Sequence, residues 1–178
     1  MSIPLFDTAP DFDQPIAVLK HCHDRIRKQL STMQALLGHL QKFGANLEAQ
    51  QGATAILRYF NNAAPQHHAD EEQDLLPMLR ATAQAEDALQ LDGLLPRILR
   101  EHLQMEAIWH TLAPQLTQIA SGISSALSDE EVLQFVALYT AHMEQEEAHI
   151  ASMAKRLFSP AQMTQLGQAM KNRRGINY

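Results

Sequence analysis

Four of the nine histidines in this chain are followed by a glutamate four residues later: His67–Glu71, His68–Glu72, His102–Glu106 and His142–Glu146. Eleven glutamates scattered over 178 residues would supply fewer than one such pair by chance. On an α-helix, residues i and i+4 stand one above the other on the same face. Each pair therefore sets a neutral imidazole beside a carboxylate, which is half of a metal site. Nitrogen and oxygen donors without thiolate suit iron, manganese or zinc.

The elements that must position these pairs are helices. Ala, Leu, Gln, Glu and Met dominate the composition, Gly and Pro are few, and no alternating strand-like run occurs. The fold class expected is all-α, an up-down four-helix bundle with a short C-terminal fifth helix. Residues 1–13 read as an extended N-terminal arm, 14–157 as the bundle, and 158–178 as the short helix and tail. In the first helix, over about 14–43, Ile16, Leu19, Ile26, Leu30, Met33, Leu37 and Leu40 form one stripe, and His23 fills the step between Leu19 and Ile26. The second, over about 51–84, carries Ile56, Phe60, Ala63, Leu75 and Met78 with His67 and Glu71 in the gap; Pro65 and Pro77 predict a kink or a break. AEDALQLDG reads as a loop, so the third helix begins near Leu94, with Pro96 in its first turn and a stripe through Leu95, Ile98, His102, Glu106, Trp109, Ala113 and Leu116. Ser128 and Glu131 form a capping box opening the fourth, whose stripe is Val132, Phe135, Tyr139, His142, Glu146, Ile150, Met153 and Leu157. Ser159-Pro160 opens the fifth, which ends at RRG.

All four long helices thus place a histidine where the apolar period calls for a core residue, and three add a glutamate one turn later. Burying so many polar groups is costly unless they are paired or bound to metal. Counted from the connecting turns, His23, His67, Glu106 and His142 lie ~22–30 Å along their helices, so antiparallel neighbours bring them to similar levels. The candidate metal ligands are His23, His67, Glu71, His102, Glu106, His142 and Glu146. Seven donors exceed what one tetrahedral zinc takes and suit two ions with a bridging glutamate. Two divalent ions, three glutamates and a bridging hydroxide also balance in charge.

These residues resemble the hemerythrin-like family, or HHE cation-binding domain. The resemblance covers about residues 14–157 and is strongest at HHADEEQDLLPML, which is similar to the family's H-x-x-x-E-E-x-x-L-[FL]-P signature and selects His67 and Glu71 over His68 and Glu72. HMEQEE gives His142 and Glu146, HDRIR gives the lone first-helix His23, and REHLQME gives His102. The resemblance implies two iron ions in a carboxylate- and oxo- or hydroxo-bridged di-iron centre, with His23, His67, His102 and His142 terminal and Glu71 and Glu146 bridging; manganese or zinc remain alternatives. It implies a small-molecule partner such as O2, NO or peroxide, with sensing, scavenging or iron-centre repair as the function. The departure is on the third helix, where the family's oxygen carriers have His-x-x-x-His and this chain has Glu106. An added anionic ligand favours the ferric state, so reversible oxygen carriage is not expected.

The other polar residues carry blander expectations. His68 reads as a surface residue or a support behind the ligands, His110 and His149 as packing or support, and His21, His39, Glu72 and Glu147 as solvated. Trp109 and Tyr139 read as core, although the Tyr139 hydroxyl could hydrogen-bond a bound species. A single cysteine, Cys22, leaves no disulfide framework and no cysteine-rich metal site. A net charge of −6 without a basic cluster argues against a nucleic-acid surface. No apolar run suits a membrane span or a secretory leader, so a cytoplasmic location is expected. Two rival functions stand beside the leading one. A metal-stabilised protein-interaction module fits the acidic surface; ferritin-like iron oxidation or storage fits Glu146 and His149 as Glu-x-x-His, but needs a second such motif.

Overall fold

The computed structural model describes residues 11–176, and among these there are five helices and no strand. Helix α1 spans Pro15–Phe43; it stops where Gly44, at φ +62°, donates its N–H to the Leu40 carbonyl, a left-handed conformation glycine adopts without strain. Helix α2 runs over 47–82 from an Asn46 cap on the Ala49 N–H. Helix α3 is Ala85–Ala120, α4 covers 129–157, and α5 is Pro160–Arg173 behind a Ser159/Gln162 capping box. Connections of a few residues make α1 to α4 antiparallel neighbours, and α1 closes the ring against α4. Of the arm expected over 1–13, residues 1–10 lie outside the described residues; Asp11 to Gln14 form a turn joined by a 2.8 Å bond from the Gln14 N–H to the Asp11 carbonyl.

Three expectations change. The segment AEDALQLDG is the first quarter of α3, not a loop. Leu91 is buried there in the same apolar cluster as Leu79 and Met153, and Arg156 of α4 forks onto Asp87 at 2.6 and 2.9 Å, so tertiary packing outweighs the Gly93 and Pro96 signals. Nor do Pro65 and Pro77 break α2. Each follows a π-helical turn, Tyr59–Ala63 or Glu71–Leu75, in which the N–H of Ala64 or Leu76 reaches back five residues. The wider turn has already displaced the i→i−4 bond that a proline, lacking an N–H, cannot donate. At α4, Ser128 caps the Glu131 N–H as expected, but Gln115 of α3 takes both the Ser128 N–H and the Glu131 carboxylate in place of the return bond.

The apolar core is in two pieces. One, around Ile26, Met33, Ile56, Phe60, Leu112 and Phe135, fills one end of the bundle. The other, around Leu19, Leu79, Leu91, Ile98, Ile150 and Leu166, fills the end under α5. Between them lies a layer of buried polar side chains: His23, His67, Glu71, His102, His142 and Glu146. Helix α5 seals its end through Gly167, which lies directly against the backbone of Phe12. A Cβ at Gly167 would run into the Phe12 carbonyl oxygen. Gly167→Ala should therefore push the 11–14 turn off α5 and cost about 1–3 kcal/mol, as overpacking does. Denaturant unfolding at a constant m-value would measure it, and an unchanged midpoint would contradict this packing.

Candidate metal centre

Each buried helix contributes by its own local geometry. On α2 and α4 the sequence H-x-x-x-E-E occurs twice, as His67–Glu71–Glu72 and His142–Glu146–Glu147. Both His–Glu pairs span one ordinary helical turn, and a π turn begins at Glu71 and again at Glu146. The extra residue in that turn re-phases the stripe, so that Leu75, Leu76 and Leu79 follow Glu71 into the core and Met78 is only half-buried.

The donor atoms converge on two points. His23, His67, Glu71 and Glu146 form one group and Glu71, His102, His142 and Glu146 the other, with every chosen donor atom in a group within 4.8 Å of the rest. In the first, His67 Nε2 is 3.1 Å from Glu71 Oε1 and His23 Nε2 is 3.2 Å from Glu146 Oε2. In the second, His102 Nε2 is 3.4 Å from Glu71 Oε2, His142 Nε2 is 3.2 Å from Glu146 Oε1, and the two imidazole nitrogens face each other at 3.0 Å. Each glutamate thus turns one oxygen to each group. Ligands held ~2.1 Å from one ion lie about 3–3.5 Å apart, which is the spacing here. Buried Glu71 Oε2, both Glu146 carboxylate oxygens and His23 Nε2 have no hydrogen-bond partner in the protein. Buried polar atoms are rarely left so, and a cation at each point would satisfy them.

A second set of carboxylates fixes the imidazoles. His102 Nδ1 pairs with Glu72 at 2.6 Å, His23 Nδ1 with Glu147 at 3.0 Å, and His142 Nδ1 with Glu101 at 2.8 Å. With the ring proton on Nδ1 donated outward, each Nε2 lone pair faces the centre. Arg27 anchors Glu147 at 2.8 Å and Arg97 anchors Glu101 at 2.7 Å. Burial would raise both carboxylates, but these arginines and the paired histidines hold them below the usual range. Glu72→Ala should weaken metal binding by about 10–100-fold, the usual cost of losing such a partner, with the fold retained; equal affinities in a competition titration with a chelator would contradict the role.

The buried carboxyls and imidazoles shift one another's protonation. Burial, then the charge of Glu146, push the Glu71 carboxyl well above the usual carboxylate range. Burial also acts on Glu146, but the imidazoles of His142 and His23 facing it outweigh burial and hold its carboxyl well below the usual range. Burial would lower His23 and His142, yet the Glu146 carboxylate 3.2 Å from each raises both. His67, buried and facing His23, is lowered.

Of the seven ligands expected from the sequence, six lie in these groups and Glu106 does not. Glu106 is exposed, because the α3 stripe steps by three from His102 to the buried Met105, turning position 106 outward. The expected third anionic ligand is therefore missing from the centre, and the expectation about oxygen carriage, which rested on it, has lost its basis. Glu72 is exposed, as expected, and Glu147 half-buried, but both also pair with histidines of the donor groups, and Glu101 does so unforeseen; the doubled glutamate shared by both motifs was the signal for the first two. His149 is turned away to Gln90 at 3.1 Å, so Glu146 and His149 do not act as a Glu-x-x-His pair. His110 is exposed, and His39 bonds Asn46 at 2.8 Å. Tyr139 is buried, and half-buried Trp109 donates to Asn61 at 2.9 Å.

The hemerythrin HHE cation binding domain matches residues 14–154 of the chain. This protein belongs to that family. The match spans all four bundle helices and every residue of the two donor groups, so the hemerythrin-like fold and a metal-binding character come together. A protein of Haemophilus influenzae described as uncharacterized is 27% identical over 165 residues, covering 93% of this chain and 92% of the relative. Among the described residues of the hemerythrin-like chain, no helix is long and apolar enough to cross a membrane.

Proposed function

We propose that this chain is a di-iron protein that binds or reacts with a small diatomic molecule or peroxide. The observation that carries the reading is the pair of donor groups sharing Glu71 and Glu146, with orphaned oxygens aimed at both. His23 and His67 would hold one ion, His102 and His142 the other, and the two glutamates would span them. Two histidines with carboxylates are a donor set suited to non-haem iron. Bound there, a pair of irons would supply the redox and ligand-binding chemistry that no side chain of the centre can supply alone.

The chain's own part is to orient, shelter and admit. Glu72, Glu101 and Glu147 fix three of the imidazoles, and the two apolar cores close the layer above and below. A cavity of about 130 Å³, lined by Ile16, Leu19, Leu75 and Ile150, opens onto His23, Glu71 and Glu146. That is ample for a diatomic or a peroxide, since a water occupies about 30 Å³ of liquid. Stopped-flow mixing of the reduced, iron-loaded protein with NO, O2 or H2O2 tests the reading. A spectral change saturating at about one ligand per chain, and absent in Glu71→Gln, is the expected result. No change with any of the three would contradict the proposal.

A further inference from the structure

Glu106 and His110 stand one turn apart on the outer face of α3, both exposed, on the wall of a separate cavity of about 360 Å³. They form an i, i+4 carboxylate–imidazole pair of the kind that holds a divalent cation. Glu72 and His68 lie on the same wall, as does His102, a donor of the centre. His68 Nε2 is sealed from solvent and has no partner. Its ring lies flat on His102, centroids 4.0 Å and planes 11° apart, so it runs parallel to that ligand and belongs to neither donor group. A buried nitrogen left without a partner is costly, and a passing cation would satisfy it. No lysine or arginine lines this cavity, whereas the smaller one on the far side carries Lys20 and Lys155.

We propose that the larger cavity is the loading route for divalent cations, with Glu106 and His110 as an outer capture pair and Glu72 and His68 as inner donors on the way to His102. The proposal rests on the metal-binding reading of the centre and adds a path to it. It also gives the exposed Glu106–His110 pair a role outside the centre. The outer pair changes the rates of loading and release together and leaves the equilibrium untouched, whereas a donor of the centre, or Glu72 behind His102, changes the equilibrium.

The test is stopped-flow loading of the metal-free full chain with Co(II), read by cobalt absorption and by the fluorescence of Trp109, which also lines the cavity. Release to a chelator is measured alongside. The double variant Glu106→Gln/His110→Asn is expected to load roughly tenfold more slowly, a modest loss for removing electrostatic steering, and to release more slowly by the same factor. Affinity and the number of ions bound stay as in wild type. Added salt should slow the wild type more than the variant. His68→Phe, which keeps the flat stack but removes the nitrogens, should also load slowly, and Lys20→Gln/Lys155→Gln at normal speed. Normal loading in the Glu106/His110 variant would overturn the route alone, as would an affinity falling in step with the rate. A wild-type chain that takes up no cation would sink the metal centre as well.

Discussion

Glu71→Gln is expected to leave a folded chain that binds both metals about a hundredfold more weakly, whereas His23→Ala or His142→Ala should weaken only one of the two positions. The asymmetry follows from the geometry: Glu71 offers Oε1 to the His23–His67 group and Oε2 to the His102–His142 group, while each histidine belongs to one group only. A four-ligand site is worth ~10–16 kcal/mol shared among its donors, so losing one costs about a hundredfold or more for each ion it serves. The fold should tolerate this change. In the metal-free protein, burial and the Glu146 charge already favour the neutral form of Glu71, and a glutamine amide has nearly the shape of that protonated acid. Titration with Co(II) or Fe(II), paired with circular dichroism, separates the outcomes. Wild-type affinity for both ions in Glu71→Gln would remove the shared carboxylate from the account.

Asp70→Ala should be the most destabilising single change away from the centre, at about 3–5 kcal/mol, the usual result of stripping one partner from a buried ion pair. Asp70 is fully buried, one residue before Glu71, and receives Arg173 and the fork of Arg174 from the end of α5, with Arg174 at 2.6 and 3.1 Å. Both arginines are largely buried, and Asp74, at 2.6 Å from Arg173, would be the one carboxylate left to them. In a chain of this length that loss lowers the melting temperature by roughly 10 °C. Removing Arg173 and Arg174 together with Asp70 should restore part of it, because no unpaired charge remains. A melting point within a degree or two of wild type would show that this clamp contributes little.

The apolar period was enough to find the interior histidines. His23, His67, His102 and His142 each occupy a stripe position where a leucine would otherwise stand, and all four are buried. Helix ends with strong local chemistry, such as Gly44, Ser128 and Ser159, were equally legible. Glu106 was misread because an i+4 spacing was carried over to α3, where the stripe advances by three after His102. Glu72, Glu101 and Glu147 escaped because they lie one residue off their stripes and act through partners on other helices, which periodicity within one helix cannot register. The π turns had no separate signature either. On α2 they show only through their consequences: prolines tolerated two residues later, and a core stripe that slips at Leu76 and Leu79.

The most direct test is an anaerobic iron titration of the metal-free chain followed by Mössbauer and EPR spectroscopy after oxidation. Two irons per chain, magnetically coupled and EPR-silent as a ferric pair, are the predicted result, since Glu71 and Glu146 join the two positions. One iron per chain, less than half an equivalent, or two irons behaving as isolated ferric ions would contradict a shared-carboxylate centre.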